Sequence, residues 1–175
     1  MRYLVISDTH RKIRPAIDLI HELHSLIDGV IHLGDLTEDF EELQALFQDV
    51  YGLAFLGVSG NCDFYPKKAT PLRRSFTAEG VTVFLCHGHM YHVKGSGGDL
   101  ALLESAARSQ GASVALFGHT HIPFLREERG MLMLNPGSLS EPRGGSSPSY
   151  ALLELEKGRF AGQIYTLSDP LHRLS

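Results

Sequence analysis

Five short polar clusters hold most of the residues in this chain that could do chemistry. They are Asp8-Thr9-His10, Gly34-Asp35, Gly60-Asn61-Cys62-Asp63, His87-Gly88-His89 and Gly118-His119-Thr120-His121. Each follows an apolar run: Leu4–Ile6, Val30–Leu33, Phe55–Val58, Val83–Leu85 and Val114–Phe117. Core packing alone explains five such endings poorly. Carboxylate, amide oxygen and imidazole together make a mixed oxygen/nitrogen ligand set suited to divalent first-row metals. Alternate side chains of a strand share a face, so the spacing predicts that His119 and His121 reach one site, and Asp8 and His10 likewise. The chain contains ten histidines and no tryptophan, and histidine is the commonest metal ligand.

Bringing such clusters to one edge calls for an α/β sheet, whose ligands bind outside the carboxyl ends of the strands. The pattern predicts strands at Tyr3–Ser7, Gly29–Leu33 and Leu53–Val58, alternating with helices at Pro15–Leu26 and Asp39–Gln48. Asp39, Glu41 and Glu42 enrich the first turn of the second helix, as the macrodipole favours. Arg73–Ala78 and Val81–Cys86 flank Glu79-Gly80 as a hairpin. Asp99–Ser109 reads as a helix with Asp99 as its N-cap. Strands follow at Val114–Phe117, Phe124–Glu128, Met131–Asn135, Tyr150–Glu156 and Phe160–Leu167. A parallel first half and a hairpin-rich last third predict two packed sheets with helices outside.

Composition narrows the class. A chain of 175 residues suits one domain spanning 1–175. With 43% hydrophobic and 21% charged residues it is an ordinary globule, which excludes disordered, collagen-like and disulfide-scaffold proteins. A net charge of −4 argues against a general grip on nucleic acid or an anionic membrane. No signal peptide is recognisable, and no apolar run approaches the ~18 residues of a membrane span. Two cysteines, Cys62 and Cys86, fit a reducing compartment such as the cytoplasm better than a stapled secreted domain.

The five clusters, in this order, resemble the calcineurin-like metallophosphoesterases, and more narrowly their small bacterial and archaeal phosphodiesterase branch. The likeness extends to Asn135-Pro136-Gly137-Ser138 and Pro142-Arg143-Gly144-Gly145, and so covers nearly the whole chain. It implies a four-layer α/β/β/α sandwich and a centre of two divalent metals. Asp8, His10, Asp35 and His121 would hold one ion; Asp35, Asn61, His87 and His119 would hold the other. By family habit the metal is manganese, with Fe, Zn, Ni and Co as alternatives. Two ions about 3.5–4 Å apart clamp the attacking and leaving oxygens of a phosphoester, and the expected nucleophile is a metal-bridging hydroxide. The substrate is then a small phosphoester. A phosphomonoesterase or a nuclease would use the same clamp. A eukaryotic retromer subunit uses this fold mainly as a protein-binding scaffold, but has substitutions among its ligand positions, whereas this chain fills all seven.

One departure concerns the third cluster. Many members of the superfamily place a histidine after the asparagine, where it protonates the leaving group; here the residue is Cys62. A thiol with a reference pKa of about 8.5 is a poor general acid beside cations. Asp63 and His89 are alternative donors. Arg143 matches phosphate oxygens with its guanidinium fork, or else is a solvated loop arginine. His32 is either core filler or a group behind a ligand, and Asn135 a turn residue supporting the site. Cys86 is read as a small buried hydrophobe. Lys94-Gly95-Ser96-Gly97-Gly98 reads as a plain connecting loop rather than a phosphate-cradling nest. His21 and His24 are expected on a solvated helix face, His172 is expected to be inert, and a homo-oligomer is left open.

Overall fold

The computed structural model describes residues 1–63, 70–95 and 99–169. His172 and Ser96-Gly97-Gly98 of the glycine-rich turn lie outside them. Two five-stranded sheets form the body. The first contains β1 (Arg2–Ile6), β2 (Gly29–His32), β3 (Ala54–Gly57), β9 (Ser149–Glu156) and β10 (Arg159–Thr166), in the order β10-β9-β1-β2-β3. The second contains β4 (Arg73–Ala78), β5 (Val81–Cys86), β6 (Val114–Leu116), β7 (Phe124–Glu128) and β8 (Met131–Asn135), in the order β4-β5-β6-β8-β7. In each, three strands run parallel: β1, β2 and β3 in one, β5, β6 and β8 in the other. Antiparallel strands are added at the sides.

The inward faces meet in one apolar layer, including Val5, Ile31, Leu33, Val83, Leu85, Leu116, Leu134 and Leu153. Burying each such side chain contributes about 1.5–3 kcal/mol. Helix α1 (Arg14–Leu23) begins with Pro15 in its first turn, where no amide is missed, and buries Ala16, Leu19, Ile20 and Leu23 along one stripe. Helix α2 (Thr37–Tyr51) buries Leu43 and Phe47 against the same outer face and ends at Gly52, whose φ of 67° is the left-handed stop. Helix α3 (Ala101–Ser109) covers the second sheet through Leu103 and Ala107. The layers are therefore α/β/β/α.

Two helix starts differ from expectation. Helix α2 begins at Thr37, two residues before the acidic turn, because Asp63 Oδ1, from the loop after β3, accepts the Thr37 amide at 2.6 Å. Asp39 is buried rather than a solvated partner of the macrodipole. Helix α3 starts at Ala101; Asp99 Oδ1 accepts the Ala101 amide at 2.9 Å, one residue before the N-cap position, Leu100.

Candidate metal centre

All six parallel strands end at the same edge of the sandwich, and every polar cluster lies there. β1 delivers Asp8 and His10, β2 Asp35, β3 Asn61, β5 His87, and β6 His119 and His121. The sixth strand, β8, delivers Asn135, whose Nδ2 donates to Gly118 O at 2.8 Å and to Thr120 Oγ1 at 3.1 Å. Asn135 thus braces the turn that holds the two histidines, as the sequence suggested.

The carboxylates are aimed by backbone and hydroxyl groups. Asp8 Oδ2 accepts from Ser7 Oγ at 2.7 Å and from the His119 amide at 3.0 Å. That leaves Asp8 Oδ1 buried with no hydrogen-bond partner, 3.3 Å from His121 Nε2 and 3.9 Å from His87 Nε2. Asp35 Oδ1 accepts the Cys62 amide at 2.9 Å, and its Oδ2 faces His87 Nε2 at 3.4 Å. Glycines make the room: a Cβ at Gly60 would overlap Asp35 Oδ1, and one at Gly118 would overlap Ser7 Oγ and press on Asp8.

Two of the imidazoles present their Nε2 atoms inward because their Nδ1 atoms are engaged outside. His121 Nδ1 donates to Glu141 O at 2.7 Å, and His87 Nδ1 to Leu33 O at 2.8 Å. His10 and His121 stack, with their Nε2 atoms 3.3 Å apart. Three sets of ligand atoms each lie within 4.8 Å of one another: Asp8, His10 and His121; Asp8, Asp35 and His87; and His10, Asp35 and Cys62. An orphaned carboxylate oxygen beside converging imidazole nitrogens fits a divalent cation. Burial alone would lower the His87 pKa, but its bond to Asp35 and the charge of Asp8 raise it instead. Burial likewise works to raise Asp35, and His87 and the Cys62 amide outweigh it, lowering the carboxyl pKa.

Strand alternation is not what gathers these groups. Asp8, His10, Asp35, His119 and His121 have φ of 55°, 47°, 46°, 71° and 59°, all left-handed. The chain kinks once it leaves each strand, so His121 stacks on His10 while His119 stands beside His87, ring centres 5.2 Å apart. The two histidines reach the cluster from different sides, which corrects the expectation of a shared strand face. Such backbone costs of order 1–3 kcal/mol per residue and persists only where its surroundings over-determine it.

Part of that determination is a buried chain of hydrogen bonds that the sequence did not reveal. His32 Nε2 lies 3.0 Å from Thr9 Oγ1, which donates to Asp39 Oδ2 at 2.6 Å; Asp39 also accepts the Arg11 amide at 2.8 Å. His32 therefore stands behind the Asp8–His10 turn. Burial lowers its pKa to about 4 from 6.5, against the opposing pull of Asp63. The unfolded chain then holds the extra proton between these values, so stability rises with pH across that window. It falls as pH drops from 6.5 to 4, by about 3 kcal/mol at most. Melting curves over this range should show a steeper loss for the native chain than for His32→Gln; equal slopes would exclude the assignment.

The remaining candidates divide. Asn61 Oδ1 lies 3.1 Å from His87 Nε2, at the exposed rim. His89 stands near His87 and His119, and burial, then His87, lowers its pKa. Burial and the Asp35 carboxylate raise the Cys62 thiol to about 11. Asp63 is not placed as a proton donor: its two oxygens accept the Thr37 and Gly60 amides, which makes it a tie for the loop. The Arg143 amide donates to His121 O at 3.2 Å and its side chain is exposed. Ser138 holds the site from behind; its hydroxyl donates to Asp8 O at 2.8 Å and accepts the Glu141 amide. Only its place in Asn-Pro-Gly-Ser could have signalled it. His21, bonded to Tyr51, lies on the exposed helical side as expected, with His24 stacked on the same tyrosine.

Comparison with known proteins agrees with this geometry. The chain is 33% identical over 173 residues to a probable metallophosphoesterase of Methanothermobacter thermautotrophicus, covering 97% of this chain and 94% of that protein. It is 30% identical to the phosphodiesterase YfcE of Escherichia coli over 105 residues, 57% of this chain and 52% of YfcE. The crystal structure of Vps29 from Entamoeba histolytica complexed with zinc superposes with a TM-score of 0.74 at 27% identity, covering 97% of this chain and 94% of Vps29. The family model for the calcineurin-like phosphoesterase superfamily domain matches residues 1–158, and the chain belongs to that superfamily.

Proposed function

We propose that the protein is a metal-dependent phosphoric ester hydrolase, a phosphodiesterase of small organic substrates with a two-ion centre. The observation that carries this reading is the buried, unpartnered Asp8 Oδ1 among converging imidazole nitrogens. Asp8, His10 and His121 would hold one ion, Asn61, His87 and His119 the other, and Asp35 both. Held there, divalent ions would supply a more acidic water and charge to offset the phosphate oxygens, the chemistry that phosphoester hydrolysis needs. Manganese is the metal we propose, with Fe, Zn, Ni and Co as alternatives.

The chain's own groups set what the site accepts. Arg143 and His89 are the side chains we propose to contact the substrate. Burial and the Asp35 carboxylate make the Cys62 thiol a weak acid where many superfamily members have a histidine donor, so the proposed substrates have leaving groups that need little protonation. Cys62→His should therefore speed poor leaving groups most, by at least about tenfold. Rates on aryl diesters of rising leaving-group pKa measure this, and a uniform change along the series would remove Cys62 from that role.

A protein-binding scaffold is the second reading, favoured by the superposition on Vps29. Metal content, and hydrolysis of a chromogenic diester with and without chelator, separate the two. No bound metal and no metal-stimulated turnover would sink the hydrolase. A panel of monoesters, acyclic diesters, cyclic nucleotides and short nucleic acids tests the substrate class. Both cysteines are free thiols, in keeping with the cytoplasm, which we propose as the compartment. Among the described residues no helix is long and apolar enough to cross a membrane.

A further inference from the structure

The proposed ion positions use oxygen and nitrogen donors only, yet one of the three ligand sets includes sulfur. Cys62 Sγ, an imidazole nitrogen of His10 and a carboxylate oxygen of Asp35 all lie within 4.8 Å of one another. The sulfur is held there. The Cys62 amide is bonded to Asp35 Oδ1, and Asp63 ties the same turn to Gly60 and Thr37. The adjoining Asp8–His10–His121 set, which shares His10 with this one, is short of a cation: Asp8 Oδ1, fully buried and unpartnered, lies 4.0 Å from His10 Nε2.

Donor softness then discriminates among ions. Thiolate suits zinc, whose bonds to sulfur and nitrogen are about 2.3 and 2.0–2.1 Å, whereas manganese prefers oxygen donors. Donors of a tetrahedral zinc stand about 3.6 Å apart on these lengths, so a set within 4.8 Å would close by about 1 Å at most on binding. We propose that Cys62 is a ligand for thiophilic divalent ions, completing the His10–Asp35–Cys62 set when zinc or cobalt binds and standing aside when manganese does. Its proton leaves to solvent on binding. The inference rests on the two-ion reading of the strand ends. It gives Cys62, where many superfamily members have a proton donor, a part in choosing the metal.

Cobalt(II), added to the whole metal-free protein, tests this by absorption. Visible d–d bands report cobalt in the site; a near-ultraviolet sulfur-to-cobalt band reports thiolate ligation. The native chain and Cys86→Ala should show both, and Cys62→Ser only the visible bands. Native protein with visible bands alone, or a near-ultraviolet band surviving in Cys62→Ser, would overturn the inference while leaving the metal site intact. If no cobalt binds, the metal reading itself fails and this one with it. In competition titrations, Cys62→Ser should weaken zinc at least about tenfold and leave manganese nearly unchanged. Equal weakening of both ions would also overturn it.

Discussion

Asp35→Asn should remove hydrolysis almost completely, with a fall in kcat of at least about a thousandfold and less metal bound per chain. The change is nearly isosteric, and an Asn oxygen can keep the bond from the Cys62 amide that Asp35 Oδ1 now accepts. What disappears is the charge on the oxygen facing His87 Nε2. Charge stabilisation by bound cations is worth several kcal/mol in such reactions, and roughly 4 kcal/mol corresponds to three decades in rate. Because Asp35 is proposed to serve both ions, both metal equivalents should weaken together. Activity retained near the native level would refute the shared role. An unchanged melting temperature in the metal-free protein would show that the loss is chemical and not a failure to fold.

Gly60→Ala should be the next most damaging change, although the residue contributes no ligand. A Cβ there would overlap Asp35 Oδ1 and lie 2.7 Å from the Asp35 backbone nitrogen. Backbone cannot swing aside as a flexible side chain would, so the carboxylate must turn or the two strand ends must part. Overpacking of this kind costs about 1–3 kcal/mol. Disturbing the support of a ligand lowers metal affinity by about 10–100-fold. Denaturant midpoints and metal titrations measure the two effects separately. A variant with native metal affinity would show that Asp35 is not held in place by the absence of a side chain at Gly60.

The contrast between Asp35 and Gly60 marks how far the sequence could be read. Aspartate, asparagine and histidine after apolar runs announced the polar edge where the clusters meet, because strand periodicity and a polar ending are both visible along the chain. The hairpin about Glu79-Gly80 was plain for the same reason. What stayed hidden depends on partners distant in sequence. Asp39 reads as a helix-start acid, and only the fold brings Thr9 and Arg11 to it. Asp63 reads as a reactive carboxylate until the amides of Thr37 and Gly60 occupy it. Nothing in Gly118-His119-Thr120-His121 announces left-handed φ at both histidines, since bulky residues avoid that region unless tertiary contacts impose it.

The division of the centre between two sheets has a mechanical consequence. Asp8, His10 and Asp35 belong to one sheet, while His87, His119 and His121 belong to the other. His10 and His121 are separated by 111 positions in the chain. An ion gripping both would act as a reversible staple across the sandwich, closing a very long loop in the unfolded chain and making sheet separation harder. Chelation would then loosen the seam between the layers as well as silence the chemistry.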